Sequence, residues 1–205
     1  MGKNTLKKSK KYIPSKMILN SRFKEYFSAL DEIEQQKTLE TFNRLLDENR
    51  EYEDNKNYNH LCNLLTSLAL VLMLEENGHT RQESEKIVAD AMYEYVRPQI
   101  KSMEKLASHS WFVKMLKISM PIKFGFTLGY GWNVEFPKAS KNEFSMVTHQ
   151  CIYQQIFTKY GMPEMTAYFC QVDDMLYSNL PRAEFIYTEQ IGRGGRFCDY
   201  TYRKR

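Results

Sequence analysis

The apolar segment LCNLLTSLALVLML, residues 61–74, limits the fold more than any other part of the sequence. It is too short to span a bilayer, and three polar residues interrupt it. Such a run predicts a helix buried in the core, and Asn77 followed by Gly78 is a good helix C-terminus. We therefore expect a core helix here and no membrane span.

Amphipathic helices are predicted on both sides of this segment. Upstream, apolar side chains recur at helical spacing until a loop rich in Asn and Asp ends the pattern. Downstream, Thr80 and Glu83 form a capping box that opens the next helix, and Pro98 is its predicted end. A last helix precedes Pro121. The apolar face of the first helix comprises Phe23, Tyr26, Phe27, Leu30, Ile33, Leu39, Phe42, Leu45 and Leu46.

Beyond Pro121 the pattern changes to short alternating runs. GWNVEF and EFSMVTHQ alternate on either side of PKASKN, which predicts a hairpin. Two helices with apolar spacing follow, one up to Gly161 and one after Pro163. AEFIYTEQ and RFCDYTYR then predict two more strands joined by a GRGG turn. The order β-β-α-α-β-β predicts an α+β fold, with a helical N-terminal half followed by a four-stranded antiparallel sheet that contains an inserted helical hairpin.

The N-terminus is basic, with six lysines and no acid before Ile18. This composition predicts a flexible, solvated tail over 1–17 rather than a groove that recognises nucleic acid, so no specific nucleic-acid partner is expected. We predict a single α+β domain over 18–205. Its helical layer is expected at 18–120, and the sheet with its helical hairpin at 121–205.

The four cysteines are spread along the chain without a CxxC pair, and the N-terminus lacks the apolar core of a secretory signal. Both features favour reduced thiols in a cytoplasmic protein. The Walker loop, the GxSxG elbow, the HExxH pair and the dinucleotide fingerprint do not occur, which excludes the commonest enzyme classes. The sequence leaves a homodimer open.

Several motifs occur in an order that is typical of one family. A cysteine opens a helix in THQCIYQQIFTKYG, a Pro-Glu pair starts the next helix, FCQVD places Asp173 three residues after Cys170, and GRGGRFCDY closes the set. Upstream, NHLCNLLTSLALVLMLEENGHTRQESEKI looks like that family's apolar helix, Gly turn and amphipathic helix. From about residue 58 to residue 203 the chain resembles the L-2-amino-thiazoline-4-carboxylic acid hydrolase family. It departs from the pattern at residues 187–190, where the family often carries an Arg and a Thr.

The resemblance implies a hydrolase that opens a small cyclic amidine, a thiazoline with an amino group and a carboxylate, towards a carbamoyl-cysteine product. This chemistry requires a nucleophile for the amidine carbon, a group that handles the leaving atom's proton, and a cation near the substrate carboxylate. The partner is then a small-molecule substrate, and no cofactor is implied. A non-catalytic small-molecule-binding or sensor domain of the same fold is the alternative. A helical interaction protein is a third, weaker interpretation.

Cys151 and His149 are candidate catalytic residues. At the first turn of its helix, Cys151 would meet unpaired amides and the helix dipole, which lower a thiol pKa and favour a nucleophilic thiolate. His149 lies two residues earlier, on the same face if the strand persists, and could act as a base or as a stabilising cation. Packing is the competing interpretation, since free cysteines are commonly buried.

Cys170 and Asp173 lie at positions i and i+3 of one predicted helix, so their side chains are neighbours. Asp173 borders the apolar stripe of that helix, where partial burial can shift the pKa of a carboxyl group for proton transfer or for holding an amidinium. We therefore predict both residues as catalytic. Asp174 points further out, as a hydrated surface acid would.

The last strand and the turn before it supply the predicted substrate-binding residues. By alternation, Cys198 shares a face with Tyr200, as core or pocket wall, and Asp199 lies on the other face. Arg193 or Arg196 could pair with a substrate carboxylate, and the amides of the GRGG turn could hold an anion. A purely structural role of the glycines in the turn is favoured.

Zinc is a further alternative. Cys151, Cys170 and Cys198, with His149 or Asp173, could form a tetrahedral site if the fold brought them together. Paired-ligand spacing is absent from the sequence, so we predict no metal.

Overall fold

The computed structural model of the protein describes residues 12–205. The described chain begins with the helices α1 (Pro14–Leu19), α2 (Lys24–Ala29), α3 (Glu32–Glu48), α4 (Tyr58–Glu76), α5 (Arg81–Ala107) and α6 (Phe112–Thr127). A mixed part follows, with β1 (Asn133–Glu135), β2 (Glu143–Gln150), α7 (Ile152–Lys159), α8 (Met165–Tyr177), β3 (Ala183–Ile186) and β4 (Cys198–Lys204). This order confirms the predicted α+β class, including the helical hairpin inserted between two pairs of strands.

Helix α4 lies at the centre of the helical half, as its apolar run predicts. Every residue over 64–71 is buried, and α3 and α5 pack against it. Its two buried hydroxyl groups donate to carbonyl groups of the preceding turn, Thr66 to Cys62 and Ser67 to Leu64. Polar residues are therefore tolerated in this core helix because the helix itself satisfies them. None of the helices within residues 12–205 has the length and apolarity of a membrane span.

The predicted first helix is interrupted between α2 and α3. Leu30 is extended, and Asp31 starts α3 with a capping box that it forms with Glu34. The interruption changes which residues face the core, because the helical phase starts again at Asp31. Ile33, predicted on the apolar face, is therefore 69% exposed, whereas Phe42 is fully buried.

Two prolines that were predicted to end helices lie inside them. Pro98 is within α5 and Pro121 is within α6. A proline in a helix removes one hydrogen bond to the preceding turn, and this loss is tolerated where water can reach the freed carbonyl. Pro98 lies on the exposed face of α5, so that helix continues to Ala107. The helical layer extends to Thr127, beyond the predicted boundary at residue 120.

Part of the predicted basic tail belongs to the packed structure. Residues 1–11 of that tail lie outside the described residues. Tyr12 is 7% exposed and Met17 is fully buried, and α1 packs against α3 and α4. Residues 12–17 therefore do not belong to the flexible tail that we predicted up to residue 17, because they contribute apolar side chains to the helical core.

The sheet has the strand order β1-β2-β4-β3, and all neighbouring strands are antiparallel. Both predicted strand pairs are therefore confirmed. Strand β3 ends at Ile186, earlier than the alternation suggests. The reason is that the Asp199 carboxylate accepts hydrogen bonds from the amides of Thr188 and Glu189, at 2.8 and 2.9 Å, and so draws the chain out of the ladder.

One face of the sheet is buried and the other is partly exposed. Alternation places Met146 and Thr148 of β2, and Cys198 and Tyr200 of β4, on the buried face. Helix α6 and the end of α8 cover this face and form an apolar cluster with it, which we call the sheet cluster. A larger helical cluster surrounds α4 and includes α7 and most of α8. The candidate site lies where the two clusters meet.

Candidate functional site

A cavity of about 400 Å³ lies between the helical cluster and the sheet cluster. Tyr153 and Phe169 form its wall on the helical side, and Met146, Tyr200 and Tyr202 form its wall on the sheet side. Helix α6 closes a further side. This volume is in the range of small-molecule sites. Besides its tyrosines and Trp132, the polar and ionisable part of the wall comprises Arg22, Asn59, His60, Asn63, Lys123, Thr127, Thr148, Cys151, Thr166, Cys170, Asp173 and Cys198.

Half of the predicted site residues meet in this cavity. Cys151 at the start of α7, Cys170 and Asp173 on α8, and Cys198 on β4 all line it. Helix α8 presents Cys170 and Asp173 together because they are three residues apart on one face. Strand β4 turns Cys198 inwards beside Tyr200, which agrees with the predicted alternation. The other four predicted residues, His149, Arg193, Arg196 and Asp199, lie outside the cavity.

Asp173 is the only acidic side chain in the cavity wall among the described residues. Burial raises its pKa to about 6, although a hydrogen bond from Tyr200 and the charge of Arg22 act in the opposite direction. The Tyr200 hydroxyl lies 3.2 Å from Oδ2 of Asp173 and accepts a hydrogen bond from Nε2 of Gln190 at 3.0 Å. Burial and the Asp173 charge raise the pKa of Tyr200, so its hydroxyl keeps its proton and donates.

Gln190 and Tyr200 fix the orientation of this carboxyl group. Gln190 is 2% exposed and does not line the cavity. Gln190 therefore acts on the site through its hydrogen bond to Tyr200.

The three thiols of the cavity are protonated at neutral pH. Cys151 is the N-cap of α7, close to the predicted position. Burial nevertheless raises its pKa to about 12 and outweighs the lowering effect of backbone hydrogen bonds from Gln154 and Tyr153. Burial, followed by the charge of Asp173, raises the pKa of Cys170 to about 12. The expected low-pKa thiolate is therefore wrong, because desolvation exceeds the helix-terminus effect.

His149 lies in a separate surface cleft of about 590 Å³, together with Arg196 and the outer side of Cys151. Strand β2 persists through His149, as the prediction required, but the imidazole is 42% exposed. Its Nε2 lies 3.1 Å from a carboxylate oxygen of Glu135 on β1. His149 and Cys151 thus share the cleft, while the imidazole points away from the cavity that contains Asp173.

Arg193 and Asp199 hold loops in place. Arg193 donates to Asp174 at 2.5 Å and to Gln171 at 2.9 Å, which fastens the loop after β3 to α8. Asp174 is therefore an ion-paired residue whose side chain is 16% exposed, and not the hydrated surface acid that we predicted. Asp199 accepts from Thr188 and Glu189. Burial acts to raise the pKa of Asp199, but these hydrogen bonds outweigh burial and lower it.

The GRGG segment is a closed loop rather than an anion site. The amides of Arg193 and Gly195 both donate to the Gln190 carbonyl, and the Arg196 amide donates to the Glu189 carboxylate. Gly194 has a φ of +85°, the left-handed conformation that the structural interpretation of this turn predicts. Arg196, 83% exposed at its side chain, contacts Glu189 alone among the acids described.

Gly192 brings this loop against α8. A Cβ atom at Gly192 would lie 2.8 Å from Sγ of Cys170 and 2.8 Å from the backbone of Thr166. Cys198 accepts a hydrogen bond from the amide of Ile191 at 3.3 Å. The loop therefore fixes the positions of two of the cavity thiols, and glycine is required by this close approach.

The sequence did not reveal several residues of the cavity wall. Trp132 Nε1 and Thr166 Oγ1 are buried without a hydrogen-bond partner among the described residues, although both residues face the cavity. Buried polar atoms normally have partners, so these two atoms are exceptions in the wall of the cavity. His60 is neutral, because burial and the charge of Arg22 lower its pKa to about 4. No spacing in the sequence connects these residues with one another, and only the tertiary structure brings them together.

A metal site is not formed by the described side chains. Within residues 12–205, no group of three or more His, Cys, Asp or Glu side chains is arranged to hold a metal ion. The cavity thiols are therefore not placed as the zinc ligands of the alternative interpretation.

Comparison with solved structures returns two distant likenesses. A point mutant of the Fe(II) unliganded H-NOX protein from K. algicida is 14% identical, with a TM-score of 0.36 over 92% of this chain and 96% of that chain. The Fe(II) unliganded H-NOX protein from K. algicida is 12% identical, with a TM-score of 0.34 over 90% of this chain and 95% of that chain. These scores are too low to relate the folds.

Comparison with curated proteins finds no match to the chain, whereas comparison with family models finds one. The family model of L-2-amino-thiazoline-4-carboxylic acid hydrolase matches residues 58–202, which is more than half of the chain and contains Cys151, Cys170, Asp173 and Cys198. The chain belongs to the L-2-amino-thiazoline-4-carboxylic acid hydrolase family.

Proposed function

We propose that the protein is a hydrolase that opens a small cyclic amidine of the thiazoline-carboxylate type, and that the cavity between the two clusters is its active site. The observation that carries this proposal is the position of Asp173. It is a partly buried carboxyl group with a pKa of about 6, and it is alone among the described residues as an acid in the cavity wall. Such a group is mostly ionised at pH 7 and can both accept and return a proton.

The carboxylate of Asp173 suits a cationic amidine. A protonated amino-thiazoline carries its positive charge over the amidine carbon and the two nitrogens beside it, and a buried carboxylate stabilises such a charge. The Tyr200 hydroxyl, held by Gln190, keeps Oδ2 of Asp173 in one orientation. The other carboxylate oxygen can then face the ligand.

In the proposed reaction, water attacks the amidine carbon and Asp173 accepts one proton of that water. The bond between the amidine carbon and the ring nitrogen breaks, and Asp173 returns the proton to the departing nitrogen. The hydroxyl group that remains on the adduct becomes the carbonyl of a carbamoyl group. Its proton goes to the departed nitrogen, which becomes the ammonium group of the cysteine product. The product is a cysteine whose sulfur bears the carbamoyl group. One water is consumed and no oxidant or reductant is required.

Cys151 supports a second route to the same product. Its thiol faces the cavity and could attack the amidine carbon if Asp173 took its proton. Water would then displace Cys151 from the covalent adduct. The raised pKa of Cys151, about 12, disfavours this route, so we assign the attack to water. The predicted nucleophilic role of Cys151 remains a hypothesis, and Cys170 is proposed as a wall residue beside Asp173.

The proposal is tested by incubating the full chain with 2-amino-thiazoline-4-carboxylic acid in ¹⁸O-labelled water and identifying the product by mass spectrometry. We expect a carbamoyl-cysteine that carries one ¹⁸O atom. Quenching during turnover distinguishes the routes, because attack by Cys151 leaves an adduct on the peptide that contains Cys151 and attack by water leaves none. Absence of product over a wide pH range contradicts the proposal.

A non-catalytic ligand-binding domain is the second candidate. The protonated thiols and the two unpartnered polar atoms, Trp132 Nε1 and Thr166 Oγ1, are the observations that favour it. A binding domain would bind the thiazoline and leave it intact.

A further inference from the structure

We propose that Arg22, which precedes the segment shared with the family, binds the carboxylate of the ligand in the cavity. The link between α1 and α2 would then complete the site and contribute to its specificity. This inference rests on the proposed function to the extent that it takes the ligand to be a small carboxylate.

The position of Arg22 is fixed by its neighbours. Ser21 is 2% exposed and Phe23 is fully buried, so the backbone on both sides of Arg22 is held in the core. The amide of Arg22 donates to Oδ1 of Asn63 on α4 at 2.8 Å, and Asn63 also lines the cavity. The side chain of Arg22 therefore reaches the cavity from a rigid support.

The guanidinium group of Arg22 has no ion pair and no side-chain hydrogen bond among the described residues. The side chain is nevertheless partly buried. Removing a charge from water without a partner is costly, so a partly buried, unpaired cation indicates a site for an anionic group. A guanidinium binds a carboxylate with two parallel hydrogen bonds, which makes arginine well suited to this role.

The charges of the cavity wall are separated in a way that matches the proposed substrate. Arg22 acts on Asp173 through its charge and lowers the pKa of that group, yet the two side chains form no ion pair. A ligand between them can place a cationic amidine at Asp173 and a carboxylate at Arg22. Lys123 of α6 is the other cation of the wall, and it is exposed. We assign it to the mouth of the cavity, where the strongly hydrated ammonium remains in water.

This assignment replaces the two arginines that the sequence suggested for the carboxylate. Arg193 is bound to Asp174 and Gln171, and Arg196 lies in the surface cleft. Neither lines the cavity. Arg22 was missed because it belongs to an N-terminal helical segment that carries no recognisable motif.

The test compares two probes that differ by one carboxylate, 2-amino-thiazoline-4-carboxylic acid and 2-amino-thiazoline. Binding to the full chain is measured by calorimetry for the wild type, Arg22→Gln, Arg22→Lys and the control Arg97→Gln. Arg97 is 65% exposed at its side chain, lies on α5 and does not line the cavity. The control therefore removes the same charge away from the ligand.

We expect Arg22→Gln to weaken binding of the carboxylate probe by about 10- to 100-fold, the effect of losing charged hydrogen bonds, and to leave the probe without carboxylate unchanged. Arg22→Lys should show a smaller loss, and it keeps the test available if the Gln variant does not fold. Equal losses for both probes, no loss for either, or failure of the wild type to bind the carboxylate probe would overturn the proposal.

The outcomes also separate this inference from the proposed function. If the wild type binds the carboxylate probe through Arg22 but does not convert it, the hydrolase proposal fails and the carboxylate site stands. If the wild type converts the probe and Arg22→Gln binds it with unchanged affinity, the carboxylate site fails and the hydrolase proposal stands.

Discussion

The Tyr200 hydroxyl on β4 lies 3.2 Å from Oδ2 of Asp173 on α8, across the boundary between the sheet and the helical hairpin. This hydrogen bond joins the two structural halves of the cavity wall. It also opposes the effect of burial on Asp173, because a donor stabilises the ionised carboxylate.

Replacing Tyr200 by Phe should therefore raise the pKa of Asp173 further. Loss of one hydrogen bond corresponds to about 0.5 to 1 pH unit. If Asp173 acts as a base, the rise of turnover with pH should move to higher pH by this amount, as measured in a pH–rate profile. Tyr93→Phe is the control, since the Tyr93 hydroxyl bonds to the Tyr168 carbonyl away from the cavity and should leave the profile in place. Identical profiles for Tyr200→Phe and wild type would contradict this role of Tyr200.

Asp173→Asn should stabilise the fold at neutral pH. The carboxyl group has a pKa near 3.8 when unfolded and about 6 when folded, so the folded state binds its proton more tightly. The contribution of Asp173 to the free energy of unfolding therefore falls as the pH rises from about 4 to 6. Above pH 6 the ionised carboxylate destabilises the folded protein by the full amount. An uncharged Asn avoids this cost, on the order of 1–3 kcal/mol.

The measurement is thermal or urea unfolding of both proteins at pH 4 and at pH 7.5. We expect Asp173→Asn to have a higher free energy of unfolding than the wild type at pH 7.5, and the two proteins to have nearly equal values at pH 4. Asp174→Asn is the matched control on the same helix and should not stabilise, because it breaks the ion pair with Arg193. A destabilised Asp173→Asn protein at pH 7.5 would show that the carboxylate is better solvated than its burial indicates.

The cavity thiols should react slowly with alkylating agents in the folded protein. A pKa of about 12 for Cys151 and Cys170 leaves on the order of 1,000-fold less thiolate at pH 7 than an ordinary cysteine. Iodoacetamide labelling mapped by mass spectrometry should give little modification of either residue at pH 7 and a full reaction after denaturation. Preferential labelling of native Cys151 at pH 7 would instead support the thiolate nucleophile.

Gly192→Ala should disturb the thiol side of the cavity. The added Cβ would approach Sγ of Cys170 and the Thr166 backbone to 2.8 Å, so the loop or α8 must shift, at a cost of about 1–3 kcal/mol. Gly125→Ala on α6 is the control, since a Cβ there meets nothing within 4 Å and alanine favours a helix. Equal unfolding free energies for the two variants would show that the loop adapts without cost.

The sequence predicted those parts of the fold that depend on local periodicity. The buried α4, the boundaries of β2 and the hairpin α7–α8 follow directly from apolar spacing. The errors arose where the surroundings of a residue or a side-chain contact outweigh the local signal. Pro98 remains inside α5 because it lies on the exposed face, and β3 ends early because the Asp199 side chain binds the amides that would have continued the strand.

The candidate site was predicted only in part for a related reason. Cys170 and Asp173 could be paired from their spacing on one helix, and alternation placed Cys198 on the inner face. Arg22 and Tyr200 reach the cavity from elements distant in sequence from α8, so no local pattern associates them with Asp173. The balance between burial and the helix terminus at Cys151 likewise depends on the surrounding structure, and it reversed the expected direction of the pKa shift.

The central claim is that Asp173 transfers protons during hydrolysis, and the most direct test is turnover of 2-amino-thiazoline-4-carboxylic acid by wild type and Asp173→Asn, with ligand affinity measured on the same preparations. Asn keeps the shape of the side chain and can still accept from Tyr200, but it cannot carry a proton. We expect kcat to fall by about 100- to 10,000-fold, as for loss of a general acid–base group. Affinity should fall as well, because Asn cannot pair with the cationic amidine, but by less than kcat. Turnover by Asp173→Asn at the wild-type rate would contradict the account.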